Sequence, residues 1–472
     1  MQPPDPRDQR IAQLEALVAK LLEELGAAKV RIAALEERLN QNSGNSSKPP
    51  SSDPPETPRQ GKPPTGRKPG GQPGHKKHER KLLPPTRVEV VKPERCPCGT
   101  RLVGDDPAPR RHQVLEIPPI EPIVVEYQLH MLTCSSCRRR TRAQLPRGVP
   151  TRGFGPLLTA TVAVLTGKYR LSKRLVEALL SDLLNVELCV GSVCNLEQEI
   201  SAALEAPVAE AAASVKTSAV ANLDETGWYE GQKDGRARRA WLWTAVTPMV
   251  TVFLISLSRG AAVAKELLGK DFTGILGTDR WSAYNWVSTA QRQLCWSHLM
   301  RDFQSFVDRG GEGGVIGAQL LERAQPLFGW WHRVRQKTLC QKTYEGWMAH
   351  LESDVLRLLR QAAACPDQKT AGMANEILKL EGALFTFVKT EVEPTNNVGE
   401  RAIRPAVMWR KTSFGTHSAE GSRYVERVLT ACATLKQQGR AILPFLAEAY
   451  QSQLSKKAPP SLLPMAAISQ AA

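Results

Sequence analysis

Apolar residues Ile11, Leu14, Val18, Leu21, Leu25, Ala28, Ile32, Leu35 and Leu39 recur at alternating spacings of three and four. A stripe that keeps this rhythm over four heptads is the seam of a coiled coil, predicted over residues 8–40. Gly26 and Ala28 thin it locally. Two readings stand: self-association through the seam, or an amphipathic helix docked on its own chain. The polar tract that follows favours self-association. From 41 to 85 the pattern disappears into Pro, Ser, Gly and Lys, as in Asn45-Ser-Ser-Lys-Pro-Pro-Ser-Ser-Asp53 and Gly66-Arg-Lys-Pro-Gly-Gly-Gln-Pro-Gly-His75. Such a stretch buries too little apolar surface to fold alone and reads as a linker.

Period-two alternation then takes over, for example in Ile123-Val-Val-Glu-Tyr-Gln-Leu-His130, which predicts a small β module over 86–148. Residues 149–212 return to helical spacing, with a break near Leu188-Cys-Val-Gly191 and an N-cap expected at Ser192. Strand-like runs follow. Ser218-Ala-Val-Ala-Asn-Leu-Asp224 is mostly apolar and ends on a carboxylate; Arg239–Val246 and Met249–Ile255 flank Thr247-Pro248; Arg259–Leu268 is helical; Phe272-Thr-Gly-Ile-Leu-Gly-Thr-Asp279 repeats the apolar run that ends on an acid. Three antiparallel strands, a helix and a further strand describe a ribonuclease-H-like α/β core over 213–415, with a helical insertion at about 310–388. A C-terminal helical region and tail fill 416–472. The chain is expected to be multidomain, as its 472 residues exceed one ordinary core.

A net charge of +16 adds a partner to this picture, since it favours a polyanion, nucleic acid first and an acidic membrane surface second. No apolar run is long enough to span a bilayer and no signal pattern opens the chain, so a cytoplasmic protein without a membrane partner is expected. In the linker, Arg67, Lys68, Lys76 and Lys77, with Arg80 and Lys81, are interleaved with glycines and read as a DNA-contacting arm; a solvated tether is the alternative. Helix, turn, helix in 149–212 invites comparison with a DNA-reading motif. Glu197, Glu199 and Glu205 suit a major groove poorly, whereas Arg170, Lys173 and Arg174 suit phosphates. That segment therefore reads as mainly structural, DNA contact being open to its first helix.

Ten cysteines without a paired framework fit a reducing compartment. Cys96, Cys98, Cys134 and Cys137 form two pairs that on hairpin turns would hold zinc and supply much of the module's folding energy. The first pair has one intervening residue instead of two, so the usual knuckle cannot form unaltered. His112 is a substitute ligand, and buried thiols without metal are the alternative.

Asp224 and Asp279 at strand ends, with Glu400 from a later helix, would gather hard oxygen ligands for magnesium or manganese at a sheet rim. Two such ions support in-line phosphoryl displacement. Arg401, Arg404, Arg410 and Lys411 beside Glu400 suit a strand of DNA running past. An acid at a strand end is more often a cap, and Glu225, Asp234 and Asp302 are rivals by pattern. Cys295-Trp-Ser-His298 has metal-ligand spacing but offers two ligands only, so it reads as a structural contact near the site. Trp281 and Tyr284 are open to stacking on an unpaired base or, more simply, to core packing.

Across nearly its whole length the chain resembles the transposases of bacterial insertion-sequence-sixty-six elements. The shared wording is the zipper-like start, Asn45-Ser-Ser-Lys-Pro-Pro-Ser-Ser-Asp53, Gly70-Gly-Gln-Pro-Gly-His75, Asp224-Glu-Thr-Gly-Trp228 and Thr278-Asp-Arg-Trp-Ser-Ala-Tyr-Asn285. It continues in Cys295-Trp-Ser-His298 and Asn396-Asn-Val-Gly-Glu-Arg-Ala-Ile-Arg-Pro405. The resemblance implies an aspartate–aspartate–glutamate triad of Asp224, Asp279 and Glu400. It also implies DNA as partner, in the form of element ends and target, with nucleoid association and accessory proteins of the same element. A non-enzymatic DNA-binding derivative and a structure-selective nuclease are the competing functions. Metal-dependent nicking separates the first from an enzyme, and end specificity with joining separates the second.

Overall fold

The computed structural model describes residues 6–42, 46–47, 74–76, 81–233, 235–390 and 392–464. Helix α1 (Pro6–Asn40) carries the predicted seam, and Leu14, Leu21, Leu25 and Ile32 stand about half-exposed along it. The small strands β1 (Met131–Thr133) and β2 (Arg140–Arg142) form an antiparallel hairpin. The alternating stretch before them is extended and exposed without forming a strand. Its alternation has no sheet partner there to make a buried face.

Helices α2 (Pro156–Ala163), α3 (Lys173–Leu184), α4 (Val190–Ala203) and α5 (Glu205–Val215) follow, with a π-helical turn at Val164–Lys168. Asn185 ends α3 in the left-handed conformation, and α4 starts at Val190 with Cys189 as N-cap, three residues before the expected cap at Ser192. The acids singled out in this segment are each paired with a cation. Lys173 Nζ lies 2.9 Å from the buried Glu197, Arg152 pairs with Glu199 at 2.8 Å, and Arg427 pairs with Glu205 at 2.8 Å. Lys173 is therefore an internal tie and not a free phosphate ligand, and α4, packed against α2 and the two C-terminal helices, is a core helix.

The main sheet has the order β5-β4-β3-β6-β7. Its members are β3 (Val220–Lys233), β4 (Arg236–Val246), β5 (Thr251–Ser256), β6 (Ile275–Thr278) and β7 (Arg292–Leu294), with α6 (Ala261–Leu268) crossing from β5 to β6. The first three strands pair antiparallel, and β3–β6 and β6–β7 pair parallel. Strand β3 is longer than its apolar run. It continues past Asp224 as a ribbon with β4, with a register shift between Tyr229 and Gln232.

Helices α7 (Trp296–Arg309), α8 (Gly311–Ala324), α9 (Leu327–Arg335), α10 (Gln341–Ala363), α11 (Gln368–Leu378) and α12 (Thr386–Lys389) pack around a core of their own that includes Phe303, Phe306, Leu320, Val355 and Leu359. Helix α13 (Asn397–Ser413) then crosses β3 and β4.

Helices α14 (Ala419–Gln437) and α15 (Ile442–Leu454) belong to the same core as the sheet and the segment before it, through Val428, Leu435, Phe445 and Leu446. Helix α14 also closes the sheet's open edge. Thr251 N donates to Thr434 Oγ1 and Phe253 N to Thr430 Oγ1, both at 3.0 Å, and Ile255 N donates to Glu426. Four helical residues rise about 6 Å and two strand residues about 6.6 Å, so side chains spaced by four match alternate edge amides. An edge so capped is unavailable for pairing with another chain.

Candidate active site

Asp224 lies in β3 two residues beyond Asn222, where the parallel pairing with β6 stops, and Asp279 directly follows β6. The two acids thus leave neighbouring strands at the same end. Close approach of those strands requires Gly277, since a Cβ there would strike the Asn222 side chain. Asn396 adds the third element. Its buried Nδ2 donates to Leu223 O at 2.6 Å, just before Asp224, while its carbonyl accepts from Glu400 N at 3.1 Å. One side chain therefore ties the start of α13, and with it Glu400, to the strand that carries Asp224.

The second acid is held from both sides. Trp281 N donates to Asp279 Oδ1 at 2.8 Å. Arg292, fully buried, donates to Asp279 O at 2.8 Å, to Thr278 Oγ1 at 3.1 Å and to Asn285 Oδ1 at 2.9 Å. Burial lowers the Arg292 guanidinium to about 10, so it keeps its charge at neutral pH. A single cation beside a short apolar run carries no signal of its own in the sequence, so the role of Arg292 emerges only in the fold.

Of the rival acids, Glu225 is fully engaged. Its Oε1 accepts from Arg259 Nε and Nη2 at 3.0 and 2.8 Å, and its Oε2 accepts from the Tyr284 hydroxyl. Tyr284 is thus a buried partner of Glu225, and packs edge-on against Trp243. Trp281, partly exposed, stacks on Arg259, whose guanidinium lies 3.9 Å from the Trp281 ring and 4.5 Å from the Trp241 ring. Asp302 pairs with Arg280 at 2.7 Å. Asp234 lies outside the described residues.

Electrostatically the acids act as one group. Burial first, then the charges of Glu225, Asp279 and Glu400, push the Asp224 carboxyl up to about 8. A carboxyl pushed up by burial and by its acidic neighbours marks a donor set deficient in positive charge, and a hard divalent cation would restore the balance. The residues present therefore fit magnesium or manganese. They are not drawn tightly together, however. Among the described residues the one set of three metal-capable side chains within 4.8 Å of one another is Cys295, His298 and Glu400. Glu400 Oε1 lies 3.5 Å from His298 Nδ1 and 3.7 Å from Arg301. The Cys295–His298 pair, a two-ligand motif by sequence, gains its third neighbour only in the fold.

The exposed residues Arg401 and Arg404 occupy α13 beyond Glu400. Arg410 instead turns inward, donating to Thr226 Oγ1 at 3.2 Å and to Gly227 O. Lys76 is exposed, and Arg67, Lys68 and Lys77 lie outside the described residues.

In the cysteine module each pair sits on a turn. Cys96 N donates to Thr100 O at 2.9 Å, and Cys134 N donates to Arg139 O at 2.9 Å. Hydrogen bonds from Thr100 lower the Cys98 thiol to about 7, and backbone amides of Cys137 and Ser136 lower that of Cys134. Donors aimed at sulfur favour the thiolates that zinc requires. The two pairs are not brought into one cluster, and His112 is exposed and joins neither.

Carboxylates at the rim of a mixed sheet, with one more from a later helix, are oxygen donors of the kind that suit a hard divalent cation. Residues 153–424 match the Transposase IS66 family, residues 93–138 match the zinc-finger binding domain of transposase IS66, and residues 1–81 match a family of unknown function. The chain belongs to the Transposase IS66 family. It is 28% identical over 239 residues to the uncharacterized protein y4qI of Sinorhizobium fredii, an alignment that covers 45% of this chain and 44% of that protein. The chain thus spans less than half the length of this curated relative. No helix among the described residues is long and apolar enough to cross a membrane.

Proposed function

We propose that this chain is a DNA transposase that cuts at the ends of its element and joins the freed 3′-ends to target DNA. The observation that carries the proposal is the match of residues 153–424 to the Transposase IS66 family, with Asp224 in β3 beside Asp279 at the end of its parallel neighbour β6. The sheet order, three antiparallel strands followed by two parallel ones, supports a ribonuclease-H-like core for it. Magnesium or manganese held by Asp224, Asp279 and Glu400 would supply activation of the attacking oxygen and stabilisation of the departing one.

The chain's own residues position that chemistry. Trp281 N and Arg292 fix Asp279, Asn396 sets Glu400 relative to Asp224, and Arg259 keeps Glu225 neutralised and out of the ligand set. Arg401 and Arg404 offer exposed charge to passing phosphates, as do Arg67, Lys68, Lys76 and Lys77 of the linker. The exposed seam of α1 supports self-association as a coiled coil, which would bring two DNA ends together. The thiol pairs Cys96/Cys98 and Cys134/Cys137 support zinc as a second cofactor. Accessory proteins of the same element are further partners, and the chain works on the nucleoid.

The test is nicking and strand joining on labelled element-end DNA in magnesium, manganese or EDTA. Asp224→Ala, Asp279→Ala and Glu400→Ala should each abolish cleavage and leave end binding intact. Cleavage retained in any of them removes that residue from the catalytic set. Binding without cleavage, even with the element's companion proteins added, would favour a non-enzymatic binder, and cleavage without end specificity a nuclease.

A further inference from the structure

We propose that Cys295, His298 and Glu400 form a second cation site, softer than the acid cluster beside it and suited to zinc. Cys295 is the N-cap of α7, and His298 lies one turn on. That spacing brings both side chains to the same face, toward Glu400 at the start of α13. Their ligand atoms lie within 4.8 Å of one another, and His298 Nδ1 and Glu400 Oε1 are 3.5 Å apart. This is too long for a hydrogen bond but matches the edge of a zinc tetrahedron, about 3.3–3.8 Å for usual bond lengths.

Both of these atoms are buried and without a hydrogen-bond partner, and Cys295 is 1% exposed. Two buried, unsatisfied polar atoms facing each other are costly, and a shared cation would satisfy both. The donor set decides which cation. Thiolate and imidazole are poor ligands for magnesium and good ones for zinc. Binding would displace the Cys295 thiol proton to solvent. Arg301, 3.7 Å from Glu400 Oε1 and hydrogen-bonded through Nε to Ser297 O, is the cation with which zinc would compete for that carboxylate. Three protein ligands leave a fourth position open.

The consequence rests on the transposase reading. Zinc on Glu400 Oε1 would draw negative charge from that carboxylate and weaken it as a ligand for the acid cluster. The site would then act as a brake on magnesium-supported cleavage.

The test has two arms, both on the full-length chain. In the first, cobalt is titrated into protein without DNA, with Cys96, Cys98, Cys134 and Cys137 replaced by Ser to leave Cys295 as the thiolate of this site. Tetrahedral d–d bands and a thiolate charge-transfer band should appear with one equivalent. Cys295→Ser should abolish the charge-transfer band, and His298→Ala should weaken affinity at least about tenfold. Where the fourfold Ser protein fails to fold, bound zinc is counted in the otherwise wild-type chain, and Cys295→Ser and His298→Ala should each lose one equivalent. Absence of bands, or zinc stoichiometry unchanged by both variants, overturns the site. In the second arm, zinc is added to the magnesium-supported cleavage reaction. It should slow the wild type and slow the Cys295→Ser protein at least about tenfold less. Equal inhibition overturns the brake. Metal binding without cleavage in any condition would instead count against the transposase reading and leave the site standing.

Discussion

Asp224→Asn should make the metal-free protein more stable while abolishing its cleavage. The carboxyl is raised from 3.8 to about 8, burial being the first cause and Glu225, Asp279 and Glu400 the next. A carboxyl raised in the fold is favoured there in its neutral form. The stability this confers is fully present below the unfolded value and is lost as pH rises through about 8. At about 1.36 kcal/mol per unit, the ionised form at pH 7 is penalised by at most about 4 kcal/mol. Asp224 keeps partial contact with solvent, which reduces this ceiling to on the order of 2–3 kcal/mol. An amide occupies the same volume without charge and escapes the penalty. At roughly 2–4 °C per kcal/mol, the variant should melt about 5 °C or more above the wild type at pH 8 in EDTA, and close to it at pH 4.

The assay is thermal unfolding across that pH range, with and without magnesium. Magnesium should raise the wild-type melting temperature, because a cation that binds only the folded state stabilises it, and should do so far less in the variant. A variant that melts with or below the wild type at pH 8 in EDTA would refute the crowding of carboxylates on which the site is argued.

Arg259→Ala should destabilise the fold by about 3–5 kcal/mol, because it leaves the buried Glu225 carboxylate without its ion pair, and chemical denaturation reads this directly. Arg259→Lys should recover little of the loss, since an ammonium cannot reproduce the bidentate contact and the stacking between Trp241 and Trp281. Gly415→Ala should cost about 2 kcal/mol or more in the same measurement: Gly415 has φ of 111°, and a Cβ there would meet the Tyr229 carbonyl. If the proposed coiled coil joins copies of the chain through α1, Leu21→Asp with Leu25→Asp should lower the sedimentation coefficient in analytical ultracentrifugation and leave the circular dichroism of the remaining domains unchanged. An unaltered sedimentation coefficient would assign α1 another role.

Periodicity alone determined much of this protein. The heptad seam of α1, the featureless linker, the helical insertion and the two apolar runs that carry Asp224 and Asp279 are local patterns, visible because each repeats within a few residues. Partnership across the chain has no such local signature, and there the tertiary structure decided. Glu225 stands next to Asp224 and is equally acidic, yet Arg259 and Tyr284, 34 and 59 residues away, neutralise it. Lys173 reads as a phosphate ligand until Glu197 packs against it. Residues 416–472 read as a helical region and tail with no assigned partner, but Glu426, Thr430 and Thr434 close a sheet edge more than 170 residues earlier. Cys295 and His298 announce two ligands, and the third, Glu400, arrives only because Asn396 ties its helix to β3. An alternating pattern states which face of an element is apolar. Which polar group that face will meet depends on the path of the whole chain.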